Sequence, residues 1–137
     1  MRYWLLKSEP SSFSWQQQAA HGVEPWTGVR NHAAKRNLIA MRISDQAFFY
    51  HSNVGKEIVG VVEVVREAYP DPTAAAAGWV AVDVRAVAEL AKPVSLAAIK
   101  ADPGFADFAL LRQSRLSVVP VSAAHWRRIL ALGELTL

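Results

Sequence analysis

Cysteine is absent from the sequence, which excludes disulfides, thiolate nucleophiles and cysteine metal sites and agrees with a reducing compartment. No apolar run approaches the roughly 20 residues of a membrane-spanning helix. Met1 to Leu6 is interrupted at once by Lys7-Ser8-Glu9-Pro10, so the pattern of a secretory leader is missing. A soluble cytoplasmic protein without membrane contact is expected. No glycine-rich turn follows the first apolar stretch, which argues against a dinucleotide-binding fold, and there is no nucleophile elbow. The four histidines, His21, His32, His51 and His125, share no ligand spacing, so neither a metal nor another cofactor is expected. Candidates for a hydrolytic triad are scattered: Ser8 with Glu9, His51 with Ser52, and Asp45. The chain reads as non-enzymatic.

What is present is enough apolar material for one domain over residues 1–137: 52% of the residues are hydrophobic and 20% charged, so a core can form without staples. The formal charge is +3, with arginine supplying ten of the fifteen cations, a choice that suits planar or phosphate-bearing partners. Arg30, Lys35, Arg36 and Arg42 fall within thirteen residues that contain no acid. A solvated helix face and a polyanion patch both account for such a run.

Alternation predicts a first strand over residues 2–6, stopped by Pro10. A short helix follows, capped by Ser11 or Ser12 and ended by Gly22. Asn31 is the expected N-cap of a helix from His32 to about Met41, with Ala33, Leu38 and Met41 inward and Lys35 and Arg36 outward. Gln46 to His51 and Ile58 to Arg66 form a hairpin, and Gly60 marks a bulge or a close backbone approach. Tyr69 to Thr73 is a rigid loop, Trp79 to Ala88 a further strand, and Pro93 a break. Ser95 caps Leu96 to Ala101, Phe105 to Leu111 is helical, Leu116 to Val121 is the last strand, and Ser122 caps a final helix ended by Gly133. Short, strongly apolar strands mixed with short helices predict an α+β domain: a small curved or closed β-barrel of about five to six strands.

The densest recognition chemistry lies in Trp26-Thr27-Gly28-Val29-Arg30-Asn31. Pro25 before it and Gly28 within it imply an irregular backbone, and a Trp face held outside a periodic run suits stacking on a flat ligand. The alternative is a Trp that plugs one end of the core. Tyr50-His51-Ser52-Asn53 is a second polar set, at a strand end; a capped turn explains it equally well. If it meets Lys7-Ser8-Glu9 at one rim, the two sets ring a pocket. Ser8, Asn31, His51 and Ser52 then offer edge hydrogen bonds, Trp26, Val29, Tyr50 and Leu116 apolar walls, and Arg30, Lys35, Arg36 and Arg112 contacts to flanking phosphates. On this reading Trp26→Ala weakens binding while leaving the fold intact.

These blocks, together with Tyr3 to Pro10, Val59 to Val64, Tyr69 to Thr73 and Leu111 to Val118, arrive in the order of the EVE domain, which the chain resembles over nearly its whole length. The resemblance implies membership of the PUA-like superfamily of nucleic-acid-binding barrels, which also contains the YTH domains that read methylated adenine. It implies binding of DNA or RNA with a methylated or hydroxymethylated base, Trp26 forming one cage wall and Lys7, Ser8, Glu9, Asn31 and Ser52 lying near the base edge. Tyr69 and Trp79 are candidates for the second wall. Thr27 stands where EVE domains commonly carry an acid and Ser114 where they carry glycine. Two other readings use the same pocket: a small-molecule or nucleotide-binding regulator, and an RNA-modifying enzyme with His51 or Glu9 as acid or base.

Overall fold

Trp4, Leu5 and Leu6 are buried in succession, as are Ala47 to Tyr50, so the centre of the sheet is covered on both faces. The computed structural model describes residues 1–137. Its strands are β1 (Tyr3–Ser8), β2 (Val23–Trp26), β3 (Gln46–His51), β4 (Glu57–Pro70), β5 (Val80–Ser95) and β6 (Val118–Val121). Its helices are α1 (Trp15–His21), α2 (His32–Ala40), α3 (Leu96–Ala101), α4 (Ala109–Arg112) and α5 (Ala123–Leu132), with a 3₁₀ turn at Pro103–Phe105. The strands form one six-stranded sheet in the order β2-β5-β4-β3-β1-β6. The architecture is α+β, with β2 and β6 as the ends of the ladder.

The central β1 and β3 run parallel, Lys7 opposite Tyr50 and Ser8 opposite His51; all other pairings are antiparallel. One face is closed by α5, whose Trp126 stacks on Phe48 at 4.0 Å and on Tyr3 at 4.5 Å. On the other face Phe49 meets Trp15 and Trp26 edge-on, each at 5.5 Å. Thirty-two buried residues form one continuous core. No helix is long and apolar enough to cross a membrane.

Gly60 performs the close approach expected of it: a Cβ there would lie 2.6 Å from the Trp15 ring. The Asn31, Ser95 and Ser122 caps each accept the expected backbone N–H. Several elements differ from the expectation: β4 runs on through Tyr69 to Pro70, where a loop was expected, and Phe105 to Leu111 is not one helix, since the 3₁₀ turn ends at Phe105 and α4 begins at Ala109. The first helix is capped by Ser14, whose hydroxyl and the Gln17 side chain form a reciprocal capping box. Val23 to Trp26, for which no strand was expected, is a short edge strand paired with β5, an edge being where Pro25 costs no ladder hydrogen bond. Pro93 does not break its strand. The β4–β5 register jumps from Gly60 opposite Glu89 to Ile58 opposite Val94, so Pro93 falls in the unpaired bulge.

Candidate functional site

Trp26 ends β2, Asn31 caps α2, and the four residues between them cross the end of the sheet. Gly28 there has φ of 84° and no atom within 4 Å of a built Cβ, so the turn needs glycine for its backbone angle rather than for space. The turn closes against the ends of β1 and the Glu9 to Phe13 loop, leaving a cleft of about 660 Å³. Lys7, Ser8, Glu9, Trp26, Val29, Arg30 and Asn31 line it, with Ser12, Phe13, Glu24, Pro25, Thr27, Gly28 and Ser117.

Trp26 is a deep wall. It is 8% exposed and held edge-on by Phe49 and by Phe13 at 6.4 Å, so its truncation would empty a packed site rather than trim an exposed face. Phe13 is the second aromatic of the cleft. Neither candidate for that role lines it: Tyr69 donates to Asp83 at 2.5 Å under the Arg66 guanidinium, and Trp79 stacks on His32 at 4.9 Å. Arg30 and Lys35 lie 5.8 and 5.7 Å from the Trp79 ring.

Polar groups of the cleft are largely fixed by one another. The Ser8 hydroxyl donates to the Phe13 carbonyl at 2.6 Å, leaving its lone pairs to accept. Asn31 Oδ1 accepts from the Ala34 N–H at 2.9 Å, leaving the amide NH₂ to donate. Lys7 Nζ donates to the Ser114 carbonyl at 2.8 Å, and burial lowers its pKa. Glu9 accepts from Asn53 at 2.6 Å, and Glu24 pairs with His21 at 2.7 Å.

Asp71 is the organising residue that sequence reasoning passed over. Its side chain is fully buried and accepts the Gly28 N–H at 2.8 Å, Arg30 Nη1 at 2.9 Å, and the Thr73 N–H and hydroxyl at 2.8 and 2.7 Å. Burial alone would raise its pKa, but the bonds from Thr73, Gly28 and Arg30 hold the carboxyl below the usual carboxylate range. Arg30 also donates to the Val29 carbonyl and the Thr73 hydroxyl, so much of its fork is spent bracing the turn. The signal for this clamp was an acid between two prolines, Pro70-Asp71-Pro72, far from the turn in sequence.

Five of the expected residues lie elsewhere. Tyr50 and Ser52 line a separate cavity, which Lys7 also borders. Leu116 lines a shallow depression with Asn31, and Arg112 is exposed near the Ala106 carbonyl. His51 is also outside the cleft: its Nε2 accepts the Trp15 N–H at 3.0 Å, fastening the start of α1. Burial lowers its pKa against the opposing pull of Glu57. Asp45 is likewise structural, accepting from the Arg2 and Arg42 N–H groups and from Trp4 Nε1. Arg36 is exposed on α2.

A family model described as EVE domain matches residues 2–132. Thymocyte nuclear protein 1 of Rattus norvegicus is 36% identical over 166 residues, covering 96% of this chain and 74% of the relative. A protein of Rhodopseudomonas palustris solved by NMR is 57% identical with a TM-score of 0.92, covering 98% of this chain and 94% of its own. Human THYN1, solved in complex with DNA containing 5-methylcytosine, is 29% identical with a TM-score of 0.90, covering 100% of both chains.

Proposed function

Because the chain belongs to the EVE domain family, we propose that it binds DNA carrying a methylated cytosine, holding the flipped or unpaired base in the Trp26 cleft without catalysing a reaction. The observation that carries this reading is the cleft itself: an aromatic wall, two or more free donors and a pair of acceptors converge on a space of about 660 Å³. The human relative's complex with methylated DNA supports it.

Cytosine presents an amino donor beside a ring nitrogen and a carbonyl that accept. Glu9 and the Ser8 lone pairs suit the amino group, while Lys7 and the Asn31 amide suit the acceptors. Stacking on Trp26 or Phe13 contributes about 1–3 kcal/mol irrespective of the base. Burying one methyl against Val29 and the aromatic walls contributes about 0.8 kcal/mol, or roughly fourfold in affinity. Affinity thus comes mainly from stacking and charge, and discrimination from the methyl. Extruding a paired base costs a few kcal/mol, so a single strand binds tighter than a duplex. Lys35 and Arg36, on the acid-free helix, hold flanking phosphates.

The test is a binding panel of single-stranded and duplex DNA and RNA carrying cytosine, methylcytosine, hydroxymethylcytosine or methyladenine, with wild type and the Asn31→Ala, Ser8→Ala and Trp26→Phe variants. Methylcytosine DNA is expected to bind about fourfold or more tighter than cytosine DNA, a ratio that each variant lowers. Equal affinity for both strands overturns the reading. A free nucleotide binding as tightly as the strand would favour a small-molecule regulator instead.

A further inference from the structure

Lys7 borders a second hollow, of about 440 Å³, that the base-reading proposal does not use. Side chains alternate along a strand, so Phe49 of β3 faces Trp26 while Tyr50, opposite Lys7 in the register, faces this other space. Lys56 before β4 and Lys100 on α3 complete its basic rim, and no aspartate or glutamate lines it. None of the three lysines forms an ion pair. Lys7 spends one proton on the Ser114 carbonyl, and an ammonium carries three. Three unpaired like charges around one cavity repel each other, and an anion seated between them removes that penalty.

Tyr50 supplies the second observation. The residue is 4% exposed and lines the hollow, and its hydroxyl has no protein partner. Gln18 Oε1 is the one fully sealed side-chain atom left unpaired, so the phenol opens onto the cavity. Solvent reaches it there, so an anion entering the cavity meets a donor that no protein group already holds. Burial raises the Tyr50 pKa, which keeps the phenol a donor.

We infer that this cavity is an oxyanion site taking one phosphate group of the bound strand, gripped by Lys7, Lys56 and Lys100 with the Tyr50 and Ser52 hydroxyls as donors. The assignment to a strand rests on the proposed DNA binding, and Lys7 joins the two sites: one ammonium serves the base cleft on one side and the phosphate on the other.

The experiment compares wild type with Tyr50→Phe and with Lys56→Gln/Lys100→Gln in two arms. In the first, single-stranded DNA with cytosine or methylcytosine is titrated across a salt series. The double variant is expected to lower affinity for both strands about tenfold, to leave their ratio unchanged, and to reduce the salt slope by about 1. Tyr50→Phe is expected to lower affinity for both about threefold at unchanged thermal stability, since it removes only an unpartnered hydroxyl. In the second arm, inorganic phosphate is titrated while the Tyr50, Ser52 and Ser114 amide resonances are followed; saturable shifts are expected in wild type and none in the double variant. Unchanged affinity and slope together with no phosphate response overturns the site. A phosphate response without any effect on strand affinity keeps the site and assigns it to free phosphate. Failure of the unaltered chain to bind DNA sinks the base-reading proposal alone, and the phosphate arm then decides the cavity.

Discussion

In the Trp26 cleft almost every polar side chain already has a partner, whereas around Tyr50 the donors stand free. Ser8, Asn31, Arg30, Glu9 and Glu24 are each held by a neighbour, and Asp71 locks the turn whose four residues, Thr27 to Arg30, all line the cleft. Tyr50, Lys56 and Lys100 have no such ties. The first space is shaped before a ligand arrives, so its binding depends on fit, with little ordering cost left to meet. The second is a convergence of unsatisfied charge, and depends on what sign of charge enters. Both meet at Lys7, at the end of the parallel pair.

The largest test of that contrast is Trp26→Ala. Emptying a wall packed between Phe13 and Phe49 is expected to cost about 3–5 kcal/mol of stability, read from urea denaturation; full stability would show that the cleft is not prebuilt. Asp71→Ala comes next. It strands the Gly28 N–H, Arg30 and Thr73, and because Arg30 is partly solvated the loss is expected near 3 kcal/mol. It should also erase methyl discrimination while the phosphate response of the Tyr50 amide persists. Gly60→Ala drives a methyl into Trp15, which leans on Phe49 and through it on Trp26. Overpacking of this kind costs about 1–3 kcal/mol, and ligand selectivity should weaken with it.

The smallest effect is on the pH dependence. His51 has a folded pKa below its ordinary 6.5, so the unfolded chain takes the proton first. Its contribution to stability is complete above pH 6.5 and is lost as the pH falls through the folded value. His51→Gln keeps an acceptor for the Trp15 N–H and is expected to flatten that acid limb in thermal melts, leaving lysine-cavity binding untouched. An unchanged limb would remove His51 from the account.

Local chemistry made much of this readable in advance. Asn31, Ser95 and Ser122 are caps because a side-chain oxygen reaches an N–H three residues on, a relation contained within one turn. The Ser14 and Gln17 box is equally local, but Ser11 and Ser12 offer the same capping chemistry a few residues earlier, so the sequence does not single out Ser14. The β2 strand was not legible: four residues including a proline carry no periodic signal, and only the facing Val82 to Arg85 segment makes them a strand. Likewise Trp26 reads as exposed until Phe13 and Phe49 arrive on its edges. The turning of Tyr50 away from the cleft follows from strand register, which no short motif encodes.

The sequence alone therefore determined the α+β class, the helix caps, the close approach at Gly60 and the family, because each depends on neighbours in the chain or on the order of its blocks. Tertiary structure decided the rest. Strand register divided the expected pocket in two, sending Ser8 to one space and Tyr50 to another. A carboxylate 43 residues away braced the turn through the Gly28 N–H, since a buried charge must find its donors wherever the fold brings them.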